Sequence, residues 1–215
     1  MQINRDESRW PPVLSIIVVF CLLTAIPGHV HALPVWVSYL AMVALVVPMA
    51  AVALTKGNIR WLGIERIIIL FFAAVYVVNT IVELADMIGI ITLHRTGNNA
   101  FALLSSAVAI WVMNVLAFSL LYWQIDRGGP YGRASKLSRR PDWAFPQPAT
   151  PEDLPPDWRP VFLDYLYVGY NTATAFSPTD SLPLTHRAKM LMVIESTISL
   201  LTSVIVLSRA INVLP

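Results

Sequence analysis

Three polar residues interrupt an otherwise apolar stretch: Asn79, Glu83 and Asp86. Their spacing of four and three places them on one face of a helix. Two acids near the middle of a membrane span are costly unless they are paired, hydrated or protonated. This face therefore has two readings. One is a cation or proton site turned to the interior of a bundle. The other is a structural cluster, neutralised by Arg209, Lys189 or Arg95 and hydrogen-bonded to Asn114. Near the C-terminus Glu195, Ser199 and Thr202 repeat the pattern, with Ser196 and Ser203 beside them. Such a stripe either lines a water-filled path or supplies small side chains at a helix contact. His29 and His31 have no carboxylate or thiol partner nearby, so no metal site is expected, and the single cysteine, Cys21, has no disulfide partner in the chain. No Ser-His or Cys-His arrangement and no nucleotide-binding loop stands out, so neither an enzyme nor a cofactor is expected.

The elements that must carry these residues are apolar and long. Of 215 residues 56% are hydrophobic and only 13% charged, which is about half the usual charged share of a soluble domain. A net charge of +2 is too small to imply nucleic acid as a partner. Crossing the hydrocarbon core takes about 20 mostly apolar residues. Runs of that kind extend from Val13 to about Leu33, Val35 to Leu54, Ile64 to Leu93, Phe101 to Trp123 and Met190 to Val213. The first has a cleaved signal peptide as its alternative, against which Pro27 to Pro34 offers no small-x-small cleavage site. Pro48 is expected to kink the second run. Trp10, Trp36, Trp61 and Trp123 sit at run edges, where an aromatic belt would place them.

From Gln124 to Pro160 the composition turns to proline, glycine and charge, which predicts a solvated loop. Arg139, Arg140 and their neighbours read as a patch facing lipid headgroups. The next apolar segment, Val161 to Phe176, is short for a span and carries Asp164 and Asn171, so it is either a re-entrant helix or a short sixth span. The organisation expected is a four-helix region over 1–124, a loop over 125–160, and a hairpin with a final helix over 161–215, all in one structural domain.

From Asp164 to Asn212 the sequence resembles the pore helix, filter and inner helix of potassium channels. Tyr167-Val168-Gly169-Tyr170-Asn171 leads without a gap into Thr172-Ala173-Thr174-Ala175-Phe176-Ser177-Pro178-Thr179-Asp180. Pro183 falls on that family's post-filter proline, Lys189 on its basic position, Glu195 on a recurrent glutamate, Ser199 on the hinge glycine and Arg209 on a recurrent arginine. The match covers about 50 of the 215 residues. The whole chain is similar to a group of bacterial inner-membrane proteins of no assigned function that share this ending.

The resemblance implies a filter-like stretch over Thr174, Ala175, Phe176, Ser177, Pro178, Thr179 and Asp180, but a degenerate one. A potassium filter replaces the ion's water shell with successive carbonyls, held by glycines in unusual conformations. Here Ser177, Pro178 and Thr179 stand where Gly-Tyr-Gly belongs, and proline fixes φ and removes an N–H. Ala175 replaces the threonine of the innermost site. Potassium selectivity is therefore not expected. A hydroxyl- and carboxylate-lined mouth that passes monovalent cations weakly is one reading; a hairpin kept only for packing is the other.

With five spans and a re-entrant hairpin, every Lys and Arg except Arg95 and Arg209 falls on one side. The positive-inside rule puts that side, with the N-terminus, in the cytoplasm. The hairpin would then enter from the cytoplasm, opposite to potassium channels. The expectation is an all-α, polytopic membrane helix bundle of about five transmembrane helices plus one re-entrant, pore-loop-like hairpin. It would sit in the inner membrane in contact with lipid. Conduction would require a homo-oligomer, with a tetramer favoured, because one hairpin cannot enclose a path.

Overall fold

A computed structural model of the chain describes residues 8–25, 35–55, 57–92, 100–134, 140–147, 158–175 and 181–213. Its element order is α1 (Trp10–Ala25), α2 (Val35–Leu54), α3 (Ile59–Thr92), α4 (Ala100–Ile125), a 3-10 turn (Asp126–Gly128), α5 (Gly129–Ala134), β1 (Trp143–Ala144), α6 (Phe162–Ala175), β2 (Leu182–Pro183) and α7 (His186–Val213). The chain is mostly helical, as expected.

Three of these helices are long and apolar enough to cross a membrane, over Ile59–Val82, Ser105–Arg133 and His186–Ile205. Trp10–Thr24 and Met42–Leu54 are shorter apolar helices. The second run forms α2 with the bounds expected of it, and the helix continues through Pro48. Helix α3 starts five residues before the expected Ile64, because Asn58 caps it. The Asn58 side-chain oxygen accepts the Arg60 N–H at 3.0 Å, satisfying one of the free donors of the first turn. At 34 residues α3 is about 51 Å long, well beyond a hydrocarbon core of about 30 Å.

Helix α4 is the central post, packed by α1, α3, α6 and α7. Met113, Asn114, Phe118, Ser119, Tyr122, Trp123 and Gln124 are all buried. Around it the neighbours turn narrow stripes inward. On α3 the buried positions are Leu62, Glu65, Ile69, Ala73, Thr80 and Leu84. On α7 Ala188, Met192, Glu195, Ser199 and Thr202 are buried at spacings of four and three, with Ile198 and Ile205 buried beside them, the seam that lets two helices interdigitate along their length. Ile67, Phe71, Val78, Val193 and Val204 lie on the outer faces and are exposed.

After α4 the chain reverses within a few residues. Arg127, Gly128 and Gly129 have φ of 53°, 83° and 70°, and the Gly129 N–H closes the turn on the Asp126 carbonyl. A Cβ on Gly129 would stand 2.5 Å from the Gln124 carbonyl oxygen, so no other residue fits there. Helix α6 then runs back along α4. Phe162 meets Trp123 with ring centroids 5.9 Å apart, and Tyr170 meets Trp111 at 6.0 Å. Helix α7 also starts at that end, with Arg187 reaching the Ile125 carbonyl at 3.5 Å. The starts of α1 and α3 join them there, since Arg9 lies 5.1 Å over the Trp123 ring and 3.7 Å from Glu65.

The loop expected to be solvated is only partly so. Gln124, Asp126, Asp142 and Trp143 are buried, and β1 pairs antiparallel with β2, Trp143 opposite Pro183 and Ala144 opposite Leu182. Composition misled here because a few aromatic and acidic residues, not the average of the segment, decide where it docks.

Candidate functional site

Two polar centres sit where α4, α6 and α7 converge. The inner one gathers around Glu195, which is fully buried. Its Oε2 accepts a short hydrogen bond from the Tyr122 hydroxyl of α4. The Asn114 amide donates to the Glu195 carbonyl at 3.2 Å and to the Ser199 hydroxyl at 3.0 Å. Two oxygens, Glu195 Oε1 and Asn114 Oδ1, are buried with no hydrogen-bond partner among the described residues. Helix α6 closes the centre with Gly169: a Cβ there would lie 2.6 Å from Ser119 Oγ, 3.2 Å from the Val115 carbonyl and 3.3 Å from Glu195 Oε1. Only a residue without a side chain lets α6 approach so closely. The Ser119 hydroxyl donates to the Val115 carbonyl at 2.6 Å, which keeps the helix's own polar groups satisfied at the contact.

The outer centre ties the loop to both limbs that follow it. Asp142 accepts two hydrogen bonds from Arg187, Nε to Oδ1 and Nη2 to Oδ2, both at 2.6 Å, in the fork geometry that suits a guanidinium and a carboxylate. The Thr185 hydroxyl donates to Asp142 Oδ1 at 2.6 Å and accepts the Ala188 N–H at 3.3 Å, so Thr185 also caps α7. Leu184 N–H donates to the Asp142 carbonyl at 2.8 Å. Asp126 then holds Asp142 from the other side: its Oδ1 accepts the Asp142 N–H and its Oδ2 accepts the Tyr165 hydroxyl of α6, each at 2.6 Å. Next in the chain, Trp143 packs 4.7 Å from the Tyr122 ring and donates its indole N–H to the Met192 sulfur at 3.4 Å. Burying a side chain of this size contributes roughly 4–6 kcal/mol of transfer free energy, more than a ladder of two paired residues supplies.

The residues singled out from the sequence fall as follows. Glu195, Ser199 and Thr202 share one face, as the spacing predicts, and all three are buried, Glu195 and Ser199 in hydrogen bonds with α4. That is the helix-contact role; within this chain they line no open path. Asn79 is exposed on α3, while the interior stripe of that helix runs through Ala73, Thr80 and Leu84. The expected inward-facing site is therefore not formed by Asn79 within one chain, because the stripe it would have to join runs along a neighbouring face of the helix. Glu83, Asp86 and Arg209 lie on α3 and α7, and their side chains are outside the described residues, as is that of Ala175, which ends α6. Asn114 bonds α7, not the acids of α3. Thr174 is exposed and donates to the Tyr170 carbonyl at 2.8 Å. Phe176, Ser177, Pro178, Thr179 and Asp180 are outside the described residues.

Sequence reasoning missed Asp126, Asp142, Tyr165, Arg187 and the cluster in which Glu65 meets Arg9 and accepts the Gln124 amide at 3.4 Å. The aromatic residues Trp143 and Phe145, lodged in a charged loop, were the available sign that this segment docks. Among the described residues no group of three or more potential metal ligands occurs. Comparison with family models, with curated proteins and with solved structures found no match for the chain.

Proposed function

We propose that the chain is a bacterial inner-membrane protein in which α6 and the residues after it form a re-entrant, pore-loop-like hairpin, and that copies assemble, most economically as a tetramer, to pass monovalent cations with little selectivity. One observation carries this reading. Helix α6 is 14 residues long, about 21 Å, and runs antiparallel to α4, as α7 does. Ala175 and Leu182 are seven residues apart in sequence yet lie at different depths along α4, Leu182 back beside β1 at the end where α6 began. A short helix that enters and a chain that leaves by the same end are the parts of a pore loop, and non-helical backbone at membrane depth is tolerated when it is covered by protein or lines a water-filled cavity.

The orientation follows from charge. Arg9, Arg60, Arg66, Arg127, Arg133, Arg140, Arg159, Arg187 and Lys189 belong to the end where α1, α3, α6 and α7 start. The positive-inside rule places that end in the cytoplasm, so the hairpin enters from there. With Glu195, Ser199 and Thr202 engaged by α4, a path on an oligomer axis would take its lining from the outer face of α7, where Val193, Thr197, Leu200 and Val204 are exposed.

A second reading has its own observation. Because the polar stripe of α7 is used up in packing, the same hairpin serves equally as a rigid element of a non-conducting scaffold or regulatory subunit. Flux decides between them. Purified protein of measured particle mass, reconstituted in liposomes with matched sodium and potassium gradients, should pass both ions at similar rates. A monomeric particle, or an oligomer silent across voltage and pH, favours the scaffold.

A further inference from the structure

The outer centre bonds one loop segment to the return limb of the hairpin, while Asp126 and the buried Trp143 anchor that segment to α4 and α7. We infer that residues 140–144 are a strap that holds Ser181–Thr185 in place, and that parting Asp142 from Arg187 frees this limb while the helices stay folded. The inference rests on the hairpin reading for its consequence alone, since the strap and its test are independent of any ion flux.

The argument starts from an asymmetry. The Asp142 carboxylate is 0% exposed, whereas the Arg187 side chain is 52% exposed. Water reaches the guanidinium, so Arg187 can give up its partner at modest cost. Asp142 cannot, because a carboxylate left buried and unpaired is strongly disfavoured. Two arrangements are therefore favourable: limb docked with the pair made, or limb lifted with both groups hydrated. What lies between carries a bare buried charge. That gap is what makes a two-state element out of a loop.

The remaining contacts follow the pair. Thr185, Leu184 and Arg187 all bond Asp142 itself, and the β1–β2 ladder has only two residue pairs. A ladder of that length is not stable alone. The strap itself stays, because Asp126, just after α4, accepts the Asp142 N–H and the Tyr165 hydroxyl and Trp143 remains buried. Lifting the limb thus uncovers Ser181, β2 and the start of α7 but leaves α4, α6 and the strap joined. Ser181, 5% exposed beside β2, is the natural reporter.

The test uses purified full-length protein with Cys21→Ala and a reporter cysteine, either Ser181→Cys or, as a control in the α1–α4 contact, Ala109→Cys. Maleimide labelling rates are compared for Asp142→Asn, Arg187→Gln and the two together. Each single change should speed labelling at position 181 at least tenfold and leave position 109 unreactive. The double change should return much of the protection, because the two amides can bond in place of the lost pair. Unchanged labelling at 181 in both single variants would show that the pair is no latch. Parallel gains at 109 would show that the helices unfold with it, and a double variant as reactive as the two single effects combined would show that the residues act separately. Any of these three outcomes overturns the inference.

Discussion

The hydroxyl of Tyr165 on α6 and the main-chain N–H of Asp142 in the loop before it share one carboxylate, Asp126, each at 2.6 Å. A single buried acid at the end of the central helix thereby fixes both the descent of α6 and the position of the strap. Its loss removes the acceptor that both of these buried donors share.

Asp126→Ala should therefore cost about 2–4 kcal/mol of stability, from one hydrogen bond per donor and the penalty of leaving the donors buried. Tyr165→Phe removes only one donor and should cost about 1 kcal/mol. The check is unfolding of detergent-purified protein followed by tryptophan fluorescence. In the Asp126→Ala background, Tyr165→Phe should add less than it costs in the parent chain, since the bond the two residues share is already gone there.

A second prediction concerns Gly169. A methyl group there would meet Ser119 Oγ at 2.6 Å and the Val115 carbonyl at 3.2 Å. The serine can be trimmed and the backbone cannot. Gly169→Ala should cost about 1–3 kcal/mol through overpacking, and Ser119→Ala in the same chain should recover part of it. Thermal unfolding midpoints of the two variants decide the point: a single variant as stable as the parent would mean that α6 has room to move.

The inner centre gives a third. Tyr122 spends its hydroxyl on Glu195, with no charged partner for that carboxyl among the described residues. Glu195→Gln keeps an acceptor for the tyrosine at nearly the same volume and should change stability by less than about 1 kcal/mol. Glu195→Ala opens a cavity and strands the hydroxyl, so a loss of about 2–4 kcal/mol is expected. Equal losses for both variants would mean that the ionised charge of Glu195, not its hydrogen bond, holds the centre together.

These residues also show what was legible beforehand. The bounds of α2 and the shared face of Glu195, Ser199 and Thr202 followed from apolar length and helical spacing alone. Which neighbour that face meets did not, because in a chain this apolar both the inner and outer faces of a helix are hydrophobic. Periodicity then fixes a face without saying where it points. Asn79 shows the same failure from the other side: polarity predicted an interior position, and the residue is exposed on α3. The strap was illegible for a different reason. Asp126, Asp142, Tyr165 and Arg187 are spread over more than sixty positions, and only the reversal at Gly128-Gly129 and the antiparallel course of α6 bring them together.

The last prediction concerns the orientation proposed for the chain in a membrane. Every Lys and Arg except Arg95 and Arg209 belongs to the segments expected on the N-terminal side, and the described ones among them lie on elements at the end where α1, α3, α6 and α7 begin. Orientation follows such asymmetry when it is spread over short loops close to the helix ends. A cysteine placed at Arg140, which is exposed, in a Cys21→Ala chain should then resist a membrane-impermeant maleimide in intact cells and react once the cells are opened. A cysteine at Arg95 should behave in the opposite way, reacting from outside. The pair of sites matters, because protection at position 140 alone would also follow from contact with a partner. If position 140 labels in intact cells and position 95 does not, the chain is inverted. On the proposed reading the hairpin would then enter from the outer face, and the charge asymmetry would need a cause other than insertion.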